Sequence, residues 1–122
     1  MTHADTKENA VISSKAVISS SLVKAAMFGA DANWGRILCA IGYSGASVDV
    51  GRIDVSFASQ KGEFTVCKDG RGVAFSEEKA KEVLGEKEVR ILVDLNSGAE
   101  TATAWGCDLT YDYVKINGDY RS

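Results

Sequence analysis

Apolar positions change their period several times along the chain, and each change marks an element. In WGRILCAIG, Trp34, Ile37, Leu38 and Ile41 fall at i, i+3, i+4 and i+7, which is one apolar stripe on a helix. Asp31 or Asn33 can cap its start, and Gly42 or Gly45 can end it. Ile53, Val55 and Phe57 then alternate with polar residues, SQKG turns the chain, and Phe64 and Val66 resume the alternation, which predicts a hairpin. FSEEKAKEVLG predicts a short helix: Ser76 caps it, Glu77 and Glu78 suit its positive end, Phe75 can staple to Ala80, and Gly85 closes it. Residues 89–95 alternate again, Asn96, Ser97 and Gly98 supply a turn, and ETATAWGCDL returns as a strand rich in Thr and Ala.

The N-terminal part is patterned less sharply. Asp5 and Glu8 have capping-box spacing ahead of NAVISSKAVISSS, so a helix is expected from near Thr6, although its β-branched residues are weak helix formers. LVKAAMFG, residues 22–29, is a short apolar run ended by glycine and is read as a buried strand. The resulting order, α, β, α, β-β, α, β-β, predicts one α+β domain over residues 1–122: a sandwich with a largely antiparallel sheet and helices packed on it.

Composition narrows the function classes. The net charge is −3 with both signs interspersed, so the basic footprint of a nucleic-acid binder is missing, and neither nucleic acid nor membrane is expected as a partner. No apolar run approaches the ~18 residues of a membrane span, and MTHADTKENA lacks a leader's apolar core, so a cytoplasmic protein is expected. Cys39, Cys67 and Cys107 sit singly in apolar runs, which predicts buried thiols and no disulfide frame.

Few residues offer chemistry. His3 is the single histidine and lies at the terminus, so a catalytic triad has no positioned base. GYSG and KDGRG lack the phosphate-loop pattern and read as turns; SEEKAKE reads as a solvated helix face. Asp108, Asp112 and Asp119 are too scattered for a metal cage, and Trp105, Tyr111 and Tyr113 read as core or interface aromatics. In DANWGRI, Gly35 in a first helical turn suggests that something packs closely there, with Asp31 and Arg36 joined in a local polar network. In INGDYRS, Asn117 brings amide donors and an acceptor, and Ser122 a hydroxyl and carboxylate, a set that suits a zwitterionic small molecule.

Asn-Trp-Gly-Arg at residues 33–36, Thr-Ala-Trp at 103–105, Cys-Asp-Leu-Thr-Tyr-Asp-Tyr-Val at 107–114 and the spacing from Asn117 to Ser122 occur together and in order. With them the chain resembles the C-terminal part of the ornithine acetyltransferase, or bifunctional glutamate N-acetyltransferase, family of arginine biosynthesis. Ala30, Ala32 and Ser122 depart from the family's commoner acid, proline and threonine. The resemblance implies a larger enzyme that cuts itself before a threonine into two chains and assembles as a heterotetramer of two alpha and two beta chains. That threonine accepts acetyl from N-acetylornithine and passes it to glutamate; no cofactor is implied, though some members take acetyl-CoA as donor.

Nothing around Thr2 resembles the family's cleavage site, so the resemblance assigns this chain no catalytic residue and no metal. It implies scaffold and substrate contacts instead, at Asn117 and at Ser122, with partners in the N-terminal remainder of the enzyme and in amino-acid substrates. It also implies that residues added after Ser122 would intrude on the substrate. The competing expectation is a free-standing, non-catalytic α+β module that binds an amino acid or mediates assembly. A large exposed apolar face would mark the segment of a bigger enzyme.

Overall fold

The computed structural model describes residues 1–2, 4–46 and 48–106. Their elements run α1 Lys7–Ser19, α2 Ser21–Phe28, α3 Trp34–Gly42, a 3-10 turn Val50–Arg52, β1 Asp54–Ser59, β2 Gly62–Lys68, β3 Arg71–Gly72, α4 Glu77–Leu84 and β4 Arg90–Asp94. The sheet has the order β3-β2-β1-β4 with every neighbour antiparallel, so the α+β architecture with helices on an antiparallel sheet is as the pattern predicts.

The sheet follows from its turns and its alternation. Ser59 pairs with Gly62 across Gln60 and Lys61, closing the β1–β2 hairpin. β2 passes to β3 through Asp69 (φ 52°) and Gly70 (φ 72°), the two left-handed residues of a type I′ turn. Opposite Val55 the register shifts: Ser56 pairs with Thr65 but Val55 with Cys67, leaving Val66 as an extra residue. This bulge explains why Val66 and Cys67, neighbours in sequence, are both fully buried. Val55 and Phe57, Phe64 and Val66, and Val93 face the helices and join Ile37, Leu38 and Ile41 of α3 and Ala80, Val83 and Leu84 of α4 in one core.

Three expectations about helices meet different outcomes. The stripe on α3 holds, with Ile37, Leu38 and Ile41 buried and Trp34 partly so. In α1 the cap is Thr6, whose hydroxyl accepts from the Asn9 N–H, while Asp5 instead takes the Asn9 side-chain amide. Residues 22–29 form no strand: they belong to α2, capped by Ser20, whose hydroxyl accepts from the Val23 N–H. A run this short is compatible with either state. Ser20 turns it into a helix, and Val23 and Ala26, three apart, form its buried face. No single helix among the described residues is long and apolar enough to cross a membrane, and α1 and α2 are bent by 57° at their junction.

The end of α2 carries a measurable strain. The Asp31 N–H bonds to the Ala26 carbonyl and the Ala30 N–H to that of Met27, the paired bonds of a Schellman ending. Its left-handed position is Ala30 (φ 52°), with Gly29 standing one residue too early. Ala30→Gly is therefore expected to stabilise the protein by about 1 kcal/mol, read as a higher melting temperature. An unchanged or lower melt would contradict this account of the turn.

Candidate functional site

Asn117 and Ser122, the substrate contacts expected from the sequence, lie outside the described residues, as do Tyr111, Tyr113 and the three scattered aspartates. What the structure describes is the stretch leading toward them. After Asn96, Ser97 and Gly98, Glu100 exchanges both backbone hydrogen bonds with Ala4, and the Ala102 N–H bonds to the Met1 carbonyl. The Lys7 ammonium holds the Thr101 carbonyl, Ser14 Oγ reaches the Ala102 carbonyl at 3.5 Å, and Gly106 lies against Ile18. Residues 100–106 thus run along α1 from its first turn to its last. The strand predicted at ETATAWGCDL is reduced, among the described residues, to the single Ala4–Glu100 bridge. Trp105, expected in a core or interface, is 84% exposed.

Gly98 makes this docking feasible. A Cβ there would sit 2.6 Å from the Ala4 carbonyl oxygen and 2.8 Å from Asp5 Cα, both backbone atoms with little room to yield. The turn is fixed from the other side by Asn96 (φ 52°), whose Nδ2 donates to the Arg52 carbonyl at 2.7 Å and to Asp54 Oδ2 at 3.1 Å. Asp94 Oδ1 accepts the Asn96 N–H at 2.9 Å, and Asp54 Oδ1 the Asp69 N–H at 2.9 Å. These carboxylates clamp loops.

The face of the sheet away from the helices carries mostly polar side chains. Thr2, Asp54, Ser56, Glu63, Thr65 and Asp94, with Lys68 and the apolar Leu92 among them, line an open depression of about 350 Å³, and Ser56 and Thr65 share a hydroxyl hydrogen bond of 2.9 Å. The Met1 ammonium is partly buried nearby: burial lowers its pKa, and the Asp94 charge acts in the opposite direction. Sequence reasoning missed this face, although the strict alternation of Asp54 and Ser56 with Val55 and Phe57 carried the signal. Among the described residues the broad apolar surface anticipated for a segment is not on the sheet, and the exposed large apolar side chains are Leu22, Phe28, Tyr43, Val73 and Trp105.

DANWGRI is built differently from expectation. Asn33 caps α3 by accepting the Arg36 N–H, and its amide meets Asp31, but the Arg36 guanidinium donates to the Leu22 carbonyl at 2.9 Å and so ties α3 to α2. A Cβ on Gly35 would meet only Asn33 Oδ1 at 3.5 Å, an ordinary contact. The close approach occurs at Trp34, whose indole lies where a Cβ on Gly72 would be, 2.6 Å from Cζ2. Of the cysteines, Cys67 is buried as expected and Cys39 is exposed on α3; Cys107 lies outside the described residues. Burial, then Asp54 and Asp69, push the Cys67 thiol's pKa up against a backbone N–H that lowers it, so it stays protonated at neutral pH. Among the described residues no group of three or more His, Cys, Asp or Glu could hold a metal ion.

Comparison with known proteins bears on the whole chain. The family model described as "ArgJ family" matches residues 1–122. The arginine biosynthesis bifunctional protein ArgJ of Caldanaerobacter subterraneus subsp. tengcongensis is 57% identical over 120 residues, covering 98% of this chain and 30% of that protein. A glutamate N-acetyltransferase of Methanothermobacter thermautotrophicus is 48% identical over 124 residues, with 98% and 31% covered. A crystal structure of the ArgJ protein from Bacillus halodurans superposes with a TM-score of 0.86 at 47% identity, over 98% of this chain and 55% of that one. The chain thus spans about 30% of the length of the curated relatives it matches. With a family model matched from end to end and this structural agreement, the chain belongs to the ArgJ family.

Proposed function

We propose that this chain acts as the C-terminal part of a glutamate N-acetyltransferase of arginine biosynthesis, in the cytoplasm, within an assembly of two alpha and two beta chains. In that enzyme acetyl passes from N-acetylornithine to a threonine hydroxyl, forming an ester and releasing ornithine, and then from the ester to the glutamate amine, which restores the hydroxyl. Oxyanion donors that stabilise each tetrahedral intermediate belong to the remainder of the enzyme. This chain contributes the α+β scaffold, the stretch that carries residues 100–106 along α1, and the substrate contacts at Asn117 and Ser122.

The observation that carries the proposal is 57% identity to an ArgJ protein across nearly the whole chain, with the fold retained. The 122-residue chain alone is expected to give no acetyl transfer from N-acetylornithine to glutamate, and co-expression with the preceding part of a full-length relative is expected to restore it. Turnover by the chain alone would overturn the division of labour. Failure of the co-expressed, co-purifying pair to turn over would favour a non-catalytic module.

A further inference from the structure

We infer that the outer edge of β4 is a strand acceptor, occupied in a longer protein of this family by an extended segment that runs parallel to β4 and enters the chain at Met1. The geometry begins the ladder and fixes its continuation. The Thr2 N–H donates to the Val93 carbonyl at 2.7 Å and the Leu95 N–H to the Thr2 carbonyl at 2.9 Å, the slanted pair of a parallel bridge between Thr2 and Asp94. Since the Val93 carbonyl points to Thr2, away from β1, the Val93 N–H and, two residues back, both backbone groups of Ile91 point outward too, while those of Leu92 and Asp94 point toward β1. Beyond Thr2 no described segment pairs with this edge.

Parallel pairing repeats every two residues. The residue immediately before Met1 would donate its N–H to the Ile91 carbonyl and accept the Val93 N–H, and the residue two earlier would accept the Ile91 N–H. Alternation sets the side chains as well: Met1 packs toward the core and Thr2 lines the polar face, so the residue before Met1 faces the polar side and its predecessor the helices. A second observation agrees. The Met1 ammonium is partly buried, and a peptide group at that point would carry no charge to desolvate. On the opposite side Met1 and Ala4 are already paired to Ala102 and Glu100, so the added strand would be covered on both edges where it enters.

The inference does not depend on acetyl transfer and is tested by amide hydrogen exchange on the 122-residue chain and on the same chain preceded by Thr-Thr-Val-Thr. The extension is expected to slow exchange at Val93 and Ile91 about tenfold or more while leaving Phe57, on the central strand, unchanged. Proline in place of the threonine directly before Met1 removes the N–H aimed at Ile91 and should reverse most of the gain, whereas alanine there should keep it. Equal Val93 rates in the plain and extended chains, or full Val93 protection in the plain chain, would overturn the proposal.

Discussion

Phe57→Ala should lower stability by about 3–5 kcal/mol, the usual cost of emptying an aromatic site in a core. Phe57 is fully buried on the central strand β1, opposite Phe64 on one side and Ile91 on the other. Its ring lies 5.6 Å from that of Phe64, which in turn lies 5.5 Å from Phe75 at the start of α4, so truncation opens a gap that hairpin and helix both border. Against a total of about 5–15 kcal/mol for a domain, this is a large share, and thermal melting should move down by more than roughly 10 °C. Trp105→Ala serves as the contrast. Its side chain is the larger of the two but 84% exposed, and its loss should cost under about 0.5 kcal/mol. Comparable melts for the two variants would contradict the assignment of the core.

The second large effect follows from the proposed function and is read in the chain co-expressed with the preceding part of a full-length relative. Asn117→Ala is expected to remove a hydrogen bond to a charged substrate group, worth about 1.5–3 kcal/mol, and to reduce kcat/KM roughly ten- to a hundredfold. A few residues added after Ser122 should cost at least as much, because they displace the terminal carboxylate and crowd the substrate. An added tail on a terminus that touches nothing would be silent. Melting temperatures should barely change in either variant, which separates a binding defect from unfolding. Normal rates with the added tail would remove Ser122 and its carboxylate from the site.

The parts of the fold that were legible in the sequence are those where two signals agree. In α4, Ser76, the first-turn glutamates, Phe75 and Gly85 all point to the same boundaries, and the helix begins and ends where they predict. The β1–β2 hairpin combines alternation with a turn, and α3 combines a stripe with a cap. Where one signal stood alone it misled. Length alone points to a strand at residues 22–29, whereas Ser20, within NAVISSKAVISSS, caps the helix that forms there. Cys39 was judged by its apolar neighbours, although the α3 stripe of Ile37, Leu38 and Ile41 leaves it on the outer side. Gly35 was credited with a close approach that belongs to Trp34 and Gly72, a contact between α3 and β3 that no local pattern announces. The candidate substrate contacts rested on family resemblance, since an Asn and a terminal Ser are too common for spacing alone to single them out.

The extra residue at Val66 bears on how many ways the hairpin can close. Sliding β2 by one position against β1 would turn Phe64 and Val66 to water and bring Glu63 and Thr65 beneath the helices. The bulge forecloses this slip at one end, because Val66 and Cys67 must both stay inside opposite Val55, and the two-residue turn at Gln60 and Lys61 forecloses it at the other by fixing Ser59 against Gly62. An irregularity in the ladder therefore acts as a latch: it also discards two-residue slips, which keep the same faces buried and which alternation alone would not tell apart in a perfectly regular hairpin.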